Sequence, residues 1–189
     1  MASRYAPAAR CAIQHNGRVM TLPPPRARRP DFTAADFRQA LGMFATGVTI
    51  VTAHPAGGAR VGLTANSFNS VSLAPPLVLW SLSRQAGSMA AFSSGSHYAI
   101  NILAAGQRAL AERFAGPAED RFDGVALRVG AGGAPIIDGA AAVFECFNRS
   151  RYQEGDHIIF VGEVERCEWR AGASPLIFHG GRYFSELPL

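Results

Sequence analysis

Apolar residues in this chain cluster in short runs, many of them β-branched, which are separated by glycine, proline and small polar residues. Runs of this length and composition, bounded by turn residues, are typical of β-strands. One run, Leu77–Leu82, is continuous and apolar apart from Ser81, which predicts a strand that is buried on both faces or closed into a barrel. The predicted strands are Val48–Ala53, Arg60–Thr64, Leu77–Leu82, Tyr98–Leu103, Ala141–Phe147, His157–Val164, Pro175–His179 and Arg182–Phe184.

The helical period is confined to a few places. Thr33 can cap a helix with Asp36 as its capping-box partner, and the helix is predicted to end at Gly47. Its apolar face comprises Phe37, Ala40, Leu41 and Phe44. A helical turn is predicted at Met89–Phe92 and a second helix at Gln107–Ala115. About seven short strands with three short helices favour a mainly β barrel with helical insertions over a parallel α/β sheet.

Charge divides the chain into two parts. Residues 1–30 hold six arginines and no acid, whereas the remaining residues hold 12 arginines against 14 acids. The arm 1–30, with its run Pro23–Pro25, is predicted to be a disordered basic arm, and a partner-binding tail is the alternative. Residues 31–189 are predicted to form one domain. Because this body is not basic, nucleic-acid binding is not expected.

Several kinds of chemistry are excluded by residue type. The chain has no lysine, which rules out a Schiff base or a phosphate-loop lysine. Its three cysteines show no CxxC spacing and indicate a reducing, cytoplasmic setting, with Cys146 expected in the core. No apolar run is long enough for a bilayer, so no membrane association is expected. No histidines or carboxylates stand at metal-ligand spacing, so no metal site is predicted.

Two segments carry candidate binding chemistry. Thr64–Ser67 ends one predicted strand with hydroxyl and amide groups that suit the edge of a heteroaromatic ring, and the small Ala65 leaves space for it. Ser81–Ser88 follows the next strand, where hydroxyls, backbone N–H groups and Arg84 could bind a phosphate. Ordinary polar turns explain either segment equally well or better when it is taken alone.

The remaining candidates are weaker. His157, at the start of a strongly apolar strand, could bind substrate or move a proton, although a surface histidine beside a turn is the simpler reading. The glycine-rich stretch Gly130–Pro135 runs into proline and is predicted to be a loop. Neither a GxGxxG nor a nucleophile motif is present, so a Rossmann site and nucleophilic catalysis are not supported.

Taken in order along the chain, these segments resemble the flavin reductase family, the reductase components of two-component flavin-dependent monooxygenases. The likeness covers roughly residues 32–187. The pieces that carry it are Phe37–Thr52, Gly62–Phe68, Ser70–Leu79, Tyr98–Leu103, Arg113–Ala115, Asp120–Phe122, Gly155–His157 and Gly181–Tyr183.

The resemblance implies an FMN-binding split β-barrel of Greek-key topology that forms a homodimer, with the flavin near the subunit interface. His157 would lie near the nicotinamide as the catalytic residue, and Tyr183 would help shape that pocket. The residues implied to hold the flavin ring, its ribityl chain and its phosphate are Arg60, Val61, Gly62, Leu63, Thr64, Ala65, Asn66, Ser67, Ser81, Leu82, Ser83, Arg84 and Ser88.

The implied activity is hydride transfer from NADH or NADPH to FMN or FAD, with reduced flavin passed to a partner monooxygenase. His179-Gly180-Gly181 stands where many relatives have an aromatic and an arginine, which leaves the choice of nicotinamide nucleotide open. Two alternatives remain at this point. One is a flavin-binding protein of the same barrel class without reductase activity, and the other is a heme- or pyridoxal-phosphate-handling protein on a related barrel.

Overall fold

The structure is a computed structural model that describes residues 29–117 and 120–186. The predicted arm therefore lies outside the described residues, apart from its last two positions. In the described part, three α-helices and twelve strands are present. The helices are α1 (Ala34–Gly42), α2 (Met89–Ser94) and α3 (Arg108–Ala115). The strands are β1 (Thr46–Gly47), β2 (Thr49–Ala53), β3 (Val61–Ala65), β4 (Asn69–Leu73), β5 (Pro76–Ser83), β6 (His97–Ile102), β7 (Leu127–Val129), β8 (Pro135–Ile137), β9 (Ala142–Glu154), β10 (His157–Trp169), β11 (Leu176–His179) and β12 (Arg182–Ser185).

Seven strands form one antiparallel sheet in the order β3-β2-β6-β9-β10-β5-β4. In a flat sheet, its two end strands would lie about 29 Å apart, since six spacings of about 4.8 Å separate them. The chain nevertheless passes from Ala65 at the end of β3 to Asn69 at the start of β4 in four Cα steps, which reach at most about 15 Å. The sheet must therefore curl until its two edges approach each other, which makes it a barrel.

The barrel interior is filled by aromatic side chains. Trp80 of β5 is fully buried and stacks on Phe160 of β10, with ring centroids 4.8 Å apart. Phe92 of α2 meets the edge of Trp80 at 4.9 Å. Along β5, buried and partly buried residues alternate from Val78 to Leu82, as expected for a barrel wall. The predicted mainly β class with a few short helices is confirmed.

A second buried cluster lies under α3 and joins it to the barrel. It contains Ile50 of β2, Phe114 of α3 and Phe122 of the loop that follows α3. The Phe114 and Phe122 rings meet edge to face with centroids 5.0 Å apart. They reach strand β3 only because Gly62 has no side chain, since a Cβ at this position would lie 2.7 Å from the Phe114 ring. This close approach places α3 against β3.

The first helix begins as predicted but ends early. Thr33 Oγ1 accepts from the Asp36 backbone N–H at 3.1 Å, and Asp36 Oδ2 accepts from the Thr33 N–H at 2.9 Å, which is the capping box. The prediction that the helix continues to Gly47 is wrong. Thr46 and Gly47 instead pair with β11, so the chain has already become a strand there.

The number of strands was also underestimated. Strand β4 was missed because its sequence, Asn69–Leu73, is largely polar, and it is an exposed edge strand. Strands β7 and β8 are only three residues each, and the stretch Gly130–Pro135 is, as predicted, mostly the turn between them. Cys146 is buried in the core as expected, and this burial raises the pKa of its thiol to about 12.

Close packing at Gly162 of β10 gives a test of this core. A Cβ at position 162 would meet the Tyr98 hydroxyl and lie 2.9 Å from the Cβ of Cys146. We expect Gly162→Ala to lower the free energy of unfolding by about 1–3 kcal/mol, measured by urea denaturation. Gly47→Ala is the control, because nothing lies within 4 Å of its added Cβ. Equal stability of the two variants would contradict this packing.

Candidate functional site

One large cavity of about 490 Å³ opens where β3, α3 and the loop before α2 meet. The first wall is the segment Arg60–Thr64, and the second is Ala86–Ser88. The third wall is formed by Phe114 and Ala115 of α3 together with Asp120–Phe122. The lining combines two glycines and several apolar residues with Arg60 and Arg121, so the cavity offers both apolar contact and positive charge.

A smaller cavity of about 200 Å³ adjoins the large one. It is lined by Val48, Asn66, Phe178 and Tyr183, and it shares Thr64 and Ala115 with the large cavity. The Phe178 and Tyr183 rings lie 5.3 Å apart, which gives this cavity an aromatic wall. Two cavities with a common wall can hold two ligands next to each other.

Six of the predicted binding residues line the large cavity: Arg60, Val61, Gly62, Leu63, Thr64 and Ser88. Asn66 and Tyr183 line the small one. Ala65 and Leu82 are buried in the barrel core instead. The other predicted residues, Ser67, Ser81, Ser83, Arg84 and His157, lie outside the linings of both cavities.

The hydroxyls of Thr64 and Ser67, both predicted binding residues, bond to the protein backbone. Thr64 Oγ1 donates to the Ala111 carbonyl of α3 at 2.7 Å. Ser67 Oγ accepts from the Ser81 N–H at 2.9 Å and donates to the Ser81 carbonyl at 3.2 Å. These bonds fix the end of β3 to α3 and to β5. The hydroxyls therefore hold the cavity wall in place whatever else they contact.

The Ser83–Ser88 loop carries the predicted anion site. The Arg84 backbone N–H donates to the Asp156 carbonyl at 3.0 Å, and the Ser83 hydroxyl accepts from the Gln85 N–H at 3.3 Å. The Arg84 side chain is exposed beside the part of this loop that lines the large cavity. The loop is thus tied to the tip of the β9–β10 hairpin.

His157 lies at that tip, where it pairs with Ser83 across the β5–β10 ladder. Its Nδ1 is 2.7 Å from Asp156 Oδ1, the distance of a hydrogen bond. This contact lowers the pKa of the Asp156 carboxyl, because the imidazole stabilises the carboxylate. If Nδ1–H donates to Asp156, Nε2 of the half-exposed ring is left as the acceptor.

The sequence reasoning did not assign a binding role to the wall formed by α3 and its following loop. Phe114 and Ala115 were predicted to be helical, Val48 and Phe178 were predicted to lie in strands, and Asp120–Phe122 entered only through the family likeness. The sequence feature that could have revealed this wall is a pair of aromatic residues, Phe114 at the end of one helix and Phe122 in the turn that follows it. Nothing in their spacing indicated that both rings would pack on Gly62.

Two further features, a metal-ligand cluster and a membrane-spanning helix, are not found among residues 29–117 and 120–186. No three His, Cys, Asp or Glu residues lie close enough together there to hold a metal ion. None of the helices in this part of the chain is both long and apolar enough to cross a membrane.

The fold and the paired cavities define a small antiparallel barrel with room for a flat, phosphate-bearing ligand beside a second ring. Residues 41–186 match the family described as Flavin reductase like domain. The chain belongs to this family, which confirms the resemblance.

Relatives of known name extend the match. FMN reductase (NADH) SmoA of Agrobacterium fabrum is 46% identical over 147 residues, which are 78% of this chain and 83% of that protein. The reductase component of the flavin-dependent trigonelline monooxygenase of Acinetobacter baylyi is 41% identical over 79% of this chain. The chain spans about half the length of some curated relatives, 48% of the Acinetobacter protein and 49% of one from Rhizobium meliloti.

Solved structures of flavin reductases have the same fold as this chain. The NADH:FAD oxidoreductase SgcE6 of Streptomyces globisporus, solved in complex with NAD and FAD fragments, superimposes with a TM-score of 0.78. The two sequences are 40% identical over 82% of this chain and 93% of the other. The predicted flavin reductase barrel is confirmed at the level of the fold.

Proposed function

We propose that this chain is a flavin reductase that transfers a hydride from NADH or NADPH to FMN or FAD and supplies the reduced flavin to a monooxygenase. The observation that carries the proposal is the pair of cavities that share Thr64 and Ala115. Hydride transfer needs two rings held against each other, and adjoining cavities with a common wall suit that requirement. The names of the relatives support the same activity.

The donor set of the large cavity fits a flavin. Its volume of about 490 Å³ lies within the usual range for sites of this kind. The apolar side chains of Val61 and Leu63 can support a ring system, and the backbone N–H groups of Gly87 and Ser88 can donate to phosphate oxygens. Arg60 within the cavity and Arg84 beside it supply positive charge.

The chemistry comes from the flavin, which accepts the hydride when it is bound. The protein contributes orientation and exclusion of water. Phe178 and Tyr183 close one side of the small cavity, which we assign to the nicotinamide ring. His157, oriented by Asp156, would position the nicotinamide or assist protonation from the hairpin tip.

Three finer assignments belong to the same proposal. The Agrobacterium and Streptomyces relatives are named for NADH, which makes NADH the co-substrate to test first. The Acinetobacter relative is named as the reductase component of a monooxygenase, which supports a partner of that class. A cytoplasmic location stays a prediction from the cysteine pattern.

Anaerobic mixing of the protein with NADH and free FMN separates this proposal from its rival, a flavin-binding protein without reductase activity. We expect loss of the visible absorbance of oxidised flavin at a rate that depends on the protein concentration, because the adjoining cavities align the two rings. Parallel runs with FAD and with NADPH give the nucleotide preference. Flavin that binds but stays oxidised with both nucleotides would favour the rival.

His157 and Arg84 should affect different steps. We expect His157→Ala to lower kcat by about a hundredfold while the flavin Kd stays unchanged. We expect Arg84→Ala to weaken flavin binding by about tenfold, through loss of a charged contact to the phosphate. Steady-state kinetics and flavin fluorescence titration measure the two effects.

Arg166→Ala is the matched control for this pair. Arg166 is an exposed arginine on β10, about 30 Å along the strand from His157. The control should leave both kcat and Kd unaltered. Unchanged NADH oxidation in His157→Ala would remove that residue from the mechanism, and an unaltered Kd in Arg84→Ala would refute the phosphate assignment.

We further propose that the protein is a homodimer that uses the apolar face of α1. No residue of this helix is buried in the single chain. Phe37 and Leu41 are 51% and 57% exposed, and Phe44 just beyond the helix is 75% exposed. A contiguous exposed apolar surface of this kind usually marks an interface. A second copy of the chain would cover it.

Light scattering coupled to size-exclusion chromatography tests the dimer. We expect the wild type to elute as a dimer and Leu41→Glu as a monomer, because a charge would have to be buried at the interface. Val129→Glu is the control, since Val129 is 80% exposed on β7 and outside this face. A monomeric wild type, or a dimeric Leu41→Glu protein, would count against this interface.

A further inference from the structure

Arg121 connects three parts of the cavity wall through one side chain. Its Nη1 donates to the Gly62 carbonyl of β3 at 3.1 Å. Its Nη2 and Nε both donate to the Gly116 carbonyl just beyond α3, at 2.8 and 3.2 Å. The planar guanidinium therefore bridges the strand, the end of the helix and the loop that carries Arg121 itself.

The Gly62 carbonyl is an acceptor that the sheet does not use. Strand β3 is an end strand of the seven-stranded sheet, so one row of its backbone groups lies outside the ladder. Arg121 supplies a charged donor to this row at the position where the Phe114 and Phe122 rings pack on the strand. A hydrogen bond from a charged group is stronger than a neutral one, so this bond can fix the loop on the strand.

The loop has a second arginine contact of a different kind. Arg113 of α3 donates from Nη1 to the Asp123 carbonyl at 2.7 Å. Arg113 thus holds the same loop to α3, but its side chain makes no hydrogen bond to β3 and does not line the large cavity. Both arginines donate hydrogen bonds to backbone carbonyls at the wall formed by α3 and the loop after it. Of the two, only Arg121 also bonds to strand β3.

We propose that Arg121 is a positioning residue that sets the width of the large cavity by tying the Asp120–Phe122 wall to strand β3. The link to flavin binding rests on the proposed function. The tie, which is the set of hydrogen bonds from Arg121 to the Gly62 and Gly116 carbonyls, does not depend on it. Without the guanidinium, Phe122 would still anchor the loop in the core, because its ring is buried. The ring would also keep its contact with Gly62 and its place under the Arg60 guanidinium, so the wall would remain folded. What the wall would lose is the hydrogen bond that holds the Arg121 side of the loop to the backbone of β3.

The experiment compares Arg121→Ala and Arg121→Lys with Arg113→Ala in the full-length chain. Hydrogen exchange of the flavin-free protein is measured first. We expect Arg121→Ala to raise the exchange of peptides covering both β3 and residues 120–126, whereas Arg113→Ala raises exchange in residues 120–126 alone. Unchanged exchange in β3 for Arg121→Ala overturns the tie, and this result does not depend on whether the wild type binds flavin.

Flavin binding is then measured by fluorescence titration with FMN. We expect Arg121→Ala to raise the Kd by about tenfold or more, and Arg113→Ala to leave it within about twofold at a similar loss of thermal stability. Lysine keeps the charge but replaces the planar fork of three donor nitrogens by a single nitrogen, so Arg121→Lys should not restore the geometry of the bridge and should bind FMN as weakly as Arg121→Ala. Full recovery of the Kd by lysine, or an equal rise of the Kd in Arg113→Ala, would overturn the positioning role.

A wild type that binds no FMN while β3 responds to Arg121→Ala would mean that the proposed function fails and the tie stands. A wild type that binds FMN with an unchanged Kd in Arg121→Ala would mean that the positioning role fails while flavin binding, as the proposed function requires, stands. The two failures are therefore distinguishable.

Discussion

The three-residue link Asn66–Phe68 is the constraint on which the architecture depends. It joins the two end strands of a seven-stranded sheet, so the sheet has to close on itself. The Ser67 hydroxyl fixes the link with two hydrogen bonds to the backbone of Ser81. Closure brings the end of β3 next to β5 and the loop that follows it. The cavity walls formed by Arg60–Thr64 and Ala86–Ser88 meet for this reason.

The same constraint explains why several polar side chains near the site bond to the protein. A strand end at a sheet edge leaves backbone groups without ladder partners, and buried groups of this kind must be satisfied. Arg121 serves β3 in this way, with the Gly62 carbonyl as acceptor. The Thr64 hydroxyl is used differently, since it donates to the Ala111 carbonyl of α3 and so holds the helix against the strand. The lining of the large cavity includes two glycines and several small or apolar residues. A flat ring can approach such a surface closely.

The sequence predicted what local patterns encode and failed where long-range contacts decide. The capping box at Thr33 and the apolar strand Leu77–Leu82 were found because each is defined within a few residues. Strand β4 was missed because its exposed edge position lets its sequence be polar. The wall that contains Phe122 was missed because its place depends on a close approach at Gly62, some sixty residues earlier.

The helical periodicity correctly predicted helix α1, but it did not predict that the apolar face of this helix stays exposed in the single chain. An apolar face predicts packing against the core of the same chain, yet no residue of α1 is buried. The pattern is therefore compatible with a partner outside this chain, which is the basis of the proposed dimer. The helical period of a sequence predicts that an apolar face will be covered, but it does not identify what covers that face.

The position of His157 follows from how the hairpin tip is held. It lies outside the linings of both cavities, but Arg84 donates its N–H to the neighbouring Asp156 carbonyl. The loop that would bind the phosphate and the tip that carries the histidine are thus one hydrogen-bonded unit. Ordering of that loop by an anion would also restrict His157. Phosphate binding at this loop would therefore be coupled to placement of the imidazole through the backbone of Arg84 and Asp156.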